Sequence, residues 1–455
     1  MLSVARYFHL LWLAPAIVLG ALEVDLDSPD SIRAAAKQVA YDLLTYYDGN
    51  ETGHTIGILP GPPPNGDYYW WQAGAMWGTY IDYWHYTGDE TFNDVVFQAM
   101  IAQKGENNDY APQNWSLSLG NDDQSFWGMS AMLAAENQFR DPDEGEPGWL
   151  ALAQAVWNEQ NDTDHYDGTC GGGMRWQVFP TNKGYDYKNT IANGCFFNIG
   201  ARLAHYTNDD RYAKRAIETW DWIVNTVKYV DNDWNVFDGG HVPQNCTDVN
   251  RQQYSYNAAI LLSGAAYMYD YTNQSQEWAD RVSGLLDRME DVFFVNGTLY
   301  EPSCEASGCT TDMLSYKGYV HRWLAVSTQV APFEKDRIMK LLRSSTEAAV
   351  KQCTGGDNGR QCGFHWTTGV YDGVTGAGQQ MNVLGALSSL LVGDAKVPVT
   401  NSTGGTSKGD PNAGSVAPSL PKDAPVTTGD RAGAGIVTAL VLGTIIVGAI
   451  FMSLD

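Results

Sequence analysis

Positive charge is scarce in this chain of 455 residues, which has 28 lysines and arginines against 53 aspartates and glutamates. The formal net charge of −25 argues against a nucleic-acid partner, because phosphates are bound by basic surfaces. It suits a surface protein that self-repulsion keeps soluble. No grouping of cysteine and histidine has the spacing of a zinc site, so we expect no metal and no other cofactor.

The amino-terminal end lacks the composition of a folded domain. Residues 1–20 contain Arg6, then an apolar run from Leu10 to Leu19, then the small residue Gly20. This order is typical of a secretory signal peptide that is removed from the mature protein. A buried first helix is the alternative, and the acidic stretch that follows disfavours it.

The carboxyl-terminal end lacks charge. Residues 432–455 are apolar up to Asp455, and no basic flank follows as it usually does behind a spanning helix. Residues 397–431 are rich in Gly, Pro, Ser and Thr, so we expect a linker that contains the attachment region of a GPI signal. The alternative is a single membrane span. The attachment residue stays open between Asn412–Gly414 and Thr427–Gly429. A secreted, GPI-anchored monomer is expected.

The seven cysteines of a secreted chain predict disulfides. The pairs Cys304–Cys309 and Cys353–Cys362 each enclose a short loop, so we expect local bridges. Of the three others, Cys170, Cys195 and Cys246, one must be free or pair outside the chain. Seven sequons are predicted N-glycosylation sites: Asn50, Asn114, Asn161, Asn245, Asn273, Asn296 and Asn401.

The body of the chain predicts helices joined by long loops. Eleven stretches between residues 28 and 393 have apolar residues at helical spacing, the first being "SPDSIRAAAKQVAYDLLTYY". Helix pairs that recur about every 60 residues predict an all-α domain, residues 21–396, built as a closed ring of helical hairpins. An open array is the alternative. Aromatic and polar residues stand where several helices begin, so a ring would bring them to one mouth.

The stretch "GNDDQSFWGM", residues 120–129, sets Asp122 beside Asp123. Glycosidic cleavage needs one carboxylic acid to protonate the leaving oxygen and a second carboxylate as nucleophile or base. A low-dielectric cleft and a nearby like charge separate the two pKa values. Because adjacent residues inside a helix do not face each other, we expect the pair at a helix start. For a retaining enzyme the carboxyl groups would be about 5–5.5 Å apart.

Two other interpretations of the pair are open: one aspartate caps the helix while the other is solvated, or the oxygens bind Ca²⁺. The 16 tryptophans and 25 tyrosines favour a sugar site, because sugar rings stack on aromatic planes. Paired Trp70 and Trp71 at a helix start are hard to bury together, so we expect at least one of them in the site. The later Trp77, Tyr80 and Tyr83 are expected in the core.

Five segments together resemble glycoside hydrolase family 76, the α-1,6-mannanases: "WWQAGAMW", "NDDQSFW", "KNTIANGCFFNIGARLA", "YSYNAAILLSGA" and "SYKGYVHRWL". They occur in the family's order within residues 22–392. The resemblance implies an (α/α)6 barrel and a retaining double displacement, with Asp122 as nucleophile and Asp123 as acid/base. Residues in the matching segments would line the sugar subsites: Gln124, Trp127, Asn193, Tyr256 and Lys317.

The signal peptide, the tail and the local cysteine pairs are similar to the fungal cell-wall branch of that family. This likeness implies a donor in the mannose core of GPI glycans and transfer to wall β-glucan. Plain hydrolysis of mannan is the alternative, and a non-catalytic mannoside-binding surface protein is a second. A structural wall mannoprotein is disfavoured, because only residues 397–430 have low complexity. Cys195 departs from the family pattern, which hints at a branch-specific bridge.

Overall fold

The computed structural model describes residues 20–115, 119–414, 431 and 435–444. The chain separates into two units, residues 1–415 and residues 416–455, and residues 435–444 of the second unit are helical. The predicted signal peptide, except Gly20, and much of the predicted GPI-signal tail lie outside the described residues, so both stay predictions. None of the described helices combines the length and the hydropathy that a membrane span needs.

The described part of the first unit contains twelve α-helices, of which the sequence predicted all but α3. Their bounds are α1 Pro29–Leu44, α2 Trp70–Thr87, α3 Asn93–Ala102, α4 Asn121–Glu136, α5 Trp149–Gln160, α6 Thr190–Thr207, α7 Asp210–Asp221, α8 Ser255–Tyr271, α9 Gln276–Phe293, α10 Tyr316–Val330, α11 Lys335–Val350 and α12 Ala377–Ser389.

The even-numbered helices form a closed inner ring. Along the ring α2 packs on α4, α4 on α6, α6 on α8, α8 on α10, α10 on α12, and α12 on α2 again. The odd-numbered helices lie outside, where α3, α5, α7 and α9 each pack on the inner helix that precedes them in the chain. The predicted (α/α)6 barrel is therefore confirmed, and the open array is wrong. All six inner helices run in one direction, so their first residues meet at one mouth.

The described residues contain three short two-stranded antiparallel sheets, all in the loops. Strand β1 (Tyr187–Asn189) pairs with β2 (Gly239–His241), β3 (Phe294–Val295) with β4 (Thr298–Leu299), and β5 (Cys353–Gly355) with β6 (Gln361–Cys362). Asn189 of β1 is also the residue that caps α6, because its side chain accepts the N–H of Ala192. The pairing of β1 with β2 thus fixes the position at which α6 begins.

Two similar sequences, "YTGD" at residues 86–89 and "YTND" at residues 206–209, end α2 and α6 in the same way. Gly88 after α2 and Asn208 after α6 have φ values of 73° and 56°, in the left-handed region that glycine and asparagine tolerate. At the other end of α1, Ser28 accepts the N–H of Ser31 and Pro29 occupies the first turn.

Small residues allow the inner helices to pack closely. A β-carbon added at Gly74 of α2 would lie 2.7 Å from the indole of Trp127 in α4, so glycine is required there. Toward the carboxyl-terminal ends of the inner helices, two buried ion pairs cross the barrel interior. Arg202 binds Glu136 and Arg322 binds Asp82, each at 2.5 Å.

The disulfides Cys304–Cys309 and Cys353–Cys362 are present, as predicted. The structure also pairs Cys170 with Cys246 and leaves Cys195 as a buried free thiol. The expected branch-specific bridge at Cys195 is therefore wrong, because its position in α6 is enclosed by the core. Six of the seven sequon asparagines are exposed and Asn161 is partly exposed, so glycosylation there stays a prediction.

The predicted linker does not begin at residue 397, because residues 397–414 pack along the barrel. The N–H of Val399 binds the carbonyl of Glu136, and the N–H of Leu150 binds Ser407. The side chain of Asn158 then binds the carbonyls of Pro411 and Ala413. This strap (residues 397–414) follows α5 from its first turn to its last. The candidate attachment residues 427–429 lie outside the described residues.

Candidate active site

A cavity of about 550 Å³ opens at the mouth where the inner helices begin. Its walls come from the first residues of α2, α4, α6, α8 and α10 and from the loops before them. The aromatic and charged residues that line it include Trp70, Trp71, Asp122, Asp123, Trp176, Lys183, Tyr187, Asp238, Tyr254, Tyr256, Asp312 and Tyr316. The sequence-based expectation that helix starts would meet at one mouth is confirmed.

Asp122 and Asp123 occupy the first turn of α4, and both line this cavity. Gly120 precedes the helix, and its N–H donates to Asp123 Oδ2 at 2.7 Å. A β-carbon at Gly120 would lie 2.4 Å from Asp122 Oδ1 and 3.1 Å from Asp123 Oδ2. Both carboxylates therefore border the same small volume. Asp123 does help to cap the helix, yet neither side chain points away from the cavity.

The two carboxylates differ in their hydrogen bonds, which separates their pKa values. Burial raises the pKa of both above the usual range for aspartate. Asp122 also accepts the N–H of Asp123 and the indole N–H of Trp176, and these two bonds lower its pKa again. The charge of Asp122 raises the pKa of Asp123 further. Asp123 is therefore the carboxyl that keeps its proton to the higher pH, and Asp122, with its pKa raised to about 7, is the one that ionises first.

Aromatic side chains form two walls of the cavity. Trp71 packs on Phe126 with ring centroids 4.6 Å apart, and its indole N–H donates to Asp312 at 3.1 Å. On another side, the rings of Tyr256 and Tyr316 stack at 3.8 Å with an angle of 8° between their planes. Flat apolar faces beside polar groups are what sugar rings bind.

Of the predicted substrate-binding residues, Trp70, Trp71 and Tyr256 line the cavity. Gln124 and Trp127 do not, although they follow Asp122 and Asp123 closely in sequence. Gln124 is fully buried and donates to the carbonyl of Asp109 and to Glu159. Trp127 is fully buried between the rings of Trp70 and Tyr110. We correct the expectation of sugar contact for both, because the helix turns them toward the core.

Asn193 and Lys317 also lie outside the cavity wall. Asn193 is fully buried, and its side chain accepts the N–H of Met174 and donates to the carbonyl of the same residue. Lys317 is fully buried and binds Glu305 at 2.7 Å and the carbonyl of Phe364 at 2.7 Å. Both side chains bind backbone atoms of loops near the mouth of the barrel. The expectation that Asn193 and Lys317 contact sugar directly is therefore corrected as well.

The sequence-based predictions do not include several of the lining residues, among them Asp312, Asp238 and Trp176. Asp312 stands just before α10, and burial raises its pKa to about 6. Asp238 accepts the hydroxyl of Tyr187 at 2.7 Å, and burial raises its pKa as well. Trp176 lies in a glycine-rich loop. The helix-start rule that found the pair at α4 could have found Asp312, whereas no local signal marks Asp238 or Trp176.

The described residues contain no group of three or more histidine, cysteine, aspartate or glutamate side chains arranged to hold a metal ion. Among the described residues that line the cavity, four carboxylates face a single cation, the exposed Lys183. Acidic groups therefore outnumber basic ones in the cavity, which combines a pair of carboxyls that ionise at different pH values with aromatic walls.

Known proteins match the chain over most of its length. A family model described as glycosyl hydrolase family 76 matches residues 31–402. The mannan endo-1,6-alpha-mannosidase DCW1 of Saccharomyces cerevisiae is 42% identical over 444 residues, which cover 95% of each chain. The crystal structure of Dfg5 from Chaetomium thermophilum in complex with glucosamine has 56% identity and a TM-score of 0.83, and covers 86% of this chain and 97% of that chain.

A more distant structure shares the fold. An inactive variant of the α-1,6-mannanase GH76A of Salegentibacter sp. HEL1_6, in complex with α-1,6-mannotriose, has 15% identity and a TM-score of 0.62. The match covers 79% of this chain and 99% of that chain. At this identity the likeness concerns the helical barrel alone.

Proposed function

Because the chain belongs to glycosyl hydrolase family 76 and is a glycoside hydrolase, we propose that it cleaves α-1,6-linked mannosides with retention of configuration. The observation that carries this proposal is the pair Asp122 and Asp123, which border one small volume in an aromatic-walled cavity. Their different hydrogen bonds give each carboxylate a different task.

In the first step Asp122 attacks the anomeric carbon, while Asp123 gives its proton to the leaving glycosidic oxygen. The indole N–H of Trp176 and the start of α4 favour the ionised form of Asp122 and aim it into the cavity. The product is a glycosyl ester on Asp122. In the second step Asp123, now ionised, takes a proton from the incoming hydroxyl, whose oxygen attacks the anomeric carbon and releases Asp122.

The incoming hydroxyl belongs to water in hydrolysis and to a sugar in transfer. We propose transfer, with the mannose core of a GPI glycan as donor and wall β-glucan as acceptor. The acidity of the cavity supports this donor, because the unacetylated glucosamine of a GPI glycan carries a positive charge. The relative from Chaetomium thermophilum was itself crystallised with glucosamine. Plain endo-hydrolysis of mannan remains the second candidate, since the relatives are named for that activity.

This function places the protein at the cell surface, where a GPI anchor would hold it on the plasma membrane beside its donor and the wall. The apolar residues 432–454 and the small, polar residues before them support this location. We propose that the protein acts as a monomer, because all the residues that line the cavity belong to a single barrel.

Purified protein incubated with α-1,6-mannotriose and with a GPI-glycan fragment, each with and without a β-1,3-glucan oligosaccharide, tests the proposal. We expect cleavage of the donor and, with the glucan present, a new mannosyl-glucan product detected by mass spectrometry. If the glucan were present and only free sugar were released, without a mannosyl-glucan product, the function would be hydrolysis. Binding of the donor without cleavage would establish a mannoside-binding protein instead.

The variants Asp122→Asn and Asp123→Asn provide the catalytic control. We expect each to lose at least about 1,000-fold in kcat/KM, because neither amide can attack or deliver the required proton. Asp94→Asn in the exposed first turn of α3 is the matched control, since its carboxylate contacts only Arg140 at the surface. Retained activity in either of the first two variants would refute the assigned roles.

A further inference from the structure

Lys188 of β1 is a fully buried lysine whose ammonium lies inside a cage of oxygen atoms. The Nζ atom contacts Asp167 Oδ1 at 2.6 Å and the carbonyls of Gly173, Gly172 and Thr169 at 2.7, 2.8 and 2.9 Å. The carbonyl of Asp167 lies at 3.5 Å. If the lysine were uncharged, the carbonyl dipoles that converge on Nζ would have no cation to bind. The cage therefore favours the protonated form of Lys188.

The cage is made by one loop, residues 167–176, which folds around the ammonium in an unusual backbone conformation. Four consecutive residues, Cys170 to Gly173, have positive φ values of 55°, 72°, 124° and 78°. Glycine adopts such values without a steric penalty, and Cys170 is held in place by its disulfide to Cys246. This curvature turns the carbonyls of residues 169, 172 and 173 toward a single point. The ammonium offsets their mutual repulsion.

Charged neighbours on both sides keep Asp167 ionised next to the lysine. Burial raises the pKa of Asp167, but hydrogen bonds from Lys188, Thr169 and Arg175 lower it to about 2. Burial lowers the pKa of Lys188 itself, while Asp167 raises it. Since every atom the ammonium touches is an acceptor, we take the lysine as charged.

The same loop ends at the catalytic pair. Trp176 donates its backbone N–H to the carbonyl of Tyr187, the residue before Lys188, and accepts the N–H of Asn121. Its indole N–H donates to Asp122 Oδ2 at 3.0 Å. Two consecutive residues of β1 thus hold the loop. Lys188 holds it through its side chain in the cage, and Tyr187 holds it through its carbonyl, which accepts the N–H of Trp176.

We propose that Lys188 is a positioning residue for the reaction: its buried ammonium takes the place of a bound cation at the centre of the 167–176 loop, and thereby keeps the indole N–H of Trp176 on Asp122. The lysine touches no reacting atom, so it acts only through Trp176. A hydrogen bond to a carboxylate favours its ionised form, so loss of this bond would raise the pKa of the nucleophile.

Other titratable groups also face Asp122, so their charges must be the same in the wild type and in the variants. They are Asp123 on α4, Asp312 before α10, Tyr256 on α8 and the Cys195 thiol on α6. None of them contacts the cage, so substitutions at Lys188 leave their identities and their charges in place.

The test compares Lys188→Met, Trp176→Phe and the double variant. Methionine keeps the length of the side chain and removes the charge, and phenylalanine keeps a ring and removes the N–H. We expect kcat/KM to fall about 10- to 100-fold in each single variant. We also expect the acidic limb of the kcat/KM profile, which reports the nucleophile of the free enzyme, to move up by about one pH unit. The double variant should resemble Trp176→Phe alone.

Lys214→Met on the exposed face of α7 is the matched control and should leave rate and profile unchanged. A Lys188→Met protein that loses thermal stability while its acidic limb stays in place would make the lysine structural and overturn the proposal. If Lys188→Met does not fold, Trp176→Phe decides alone, because an unmoved acidic limb there removes the link on which the proposal depends.

The assay rests on the proposed function, so its substrate could fail independently. If the wild type cleaves no mannoside, the proposed function is refuted. The positioning claim is then read from carbon NMR titration of protein labelled with ¹³C-aspartate, with the Asp122 signal assigned by Asp122→Asn. A higher pKa for Asp122 in both single variants supports the proposal, and an unchanged value overturns it.

Discussion

Replacement of Gly120 by alanine would separate catalysis from stability, because the two atoms closest to an added β-carbon belong to the carboxylates of Asp122 and Asp123, and the backbone carbonyl of Trp176 comes third at 3.3 Å. Gly120 has φ −94° and ψ 157°, which alanine adopts freely. A β-carbon there would lie 2.4 Å from Asp122 Oδ1, whereas carbon and oxygen make contact at about 3.5 Å. The carboxylate must therefore move by about 1 Å.

A displacement of about 1 Å at a reacting group costs about 100-fold in rate, so we expect kcat/KM of Gly120→Ala to fall by about that factor. The free energy of unfolding should change by less than about 1 kcal/mol, because the flexible carboxylate yields more easily than the backbone. Kinetics with α-1,6-mannotriose and thermal unfolding of the same samples measure the two quantities.

Gly393→Ala serves as the control, since a β-carbon there meets nothing within 4 Å and no positive φ is involved. This variant should match the wild type in both measurements. If Gly120→Ala kept more than about a third of wild-type activity, the position of Asp122 against Gly120 would not matter for the reaction, and the geometry argued above would be refuted.

Three further predictions concern buried charge and the strap. Burial raises the pKa of Asp312 to about 6, so ionisation of this carboxyl destabilises the folded state as pH rises from about 4 through 6. Asp312→Asn should therefore raise the free energy of unfolding, measured by chemical denaturation, by about 3 kcal/mol at pH 7 and leave it nearly unchanged at pH 3.5. Arg202→Met leaves the buried carboxylate of Glu136 without its partner, and it should lower the free energy of unfolding, measured by chemical denaturation, by about 3–5 kcal/mol. A chain that ends after Lys396 should melt several degrees lower than one that ends after Gly414, because it loses the strap; equal melting temperatures would make residues 397–414 a free linker.

Most of the fold could be predicted from the sequence. Outer helices such as α7 and α9 bury one stripe of residues at helical spacing, and inner helices such as α4 and α8 are long runs of mostly small and apolar residues that are buried on nearly every side. The helix that was missed, α3, has only ten residues and begins after Phe92, whose side chain caps nothing. The strap was missed for a different reason. Its Gly- and Ser-rich composition is that of a linker, and its contacts are backbone hydrogen bonds and close approaches at glycine, which leave no apolar pattern.

The candidate site was predictable only in part, because the side chains of successive residues on a helix point in directions about 100° apart. Asp123 faces the cavity, whereas the next residue, Gln124, faces a buried polar network. Asn193 and Lys317 belong to segments that match the family, yet both support loops from inside the core. The acidic residue Asp312 stands alone in sequence and reaches the cavity only because the ring of helices closes.

The anomeric form of the first sugar released from an α-1,6-mannoside tests the central claim most directly. Proton NMR recorded within the first minutes of the reaction distinguishes the two anomers before mutarotation mixes them. Two carboxylates that border one small volume at the start of α4 predict double displacement, so the α anomer should form first. If the β anomer formed first, a water molecule would have to attack from the opposite face, and the assignment of Asp122 as nucleophile would be wrong.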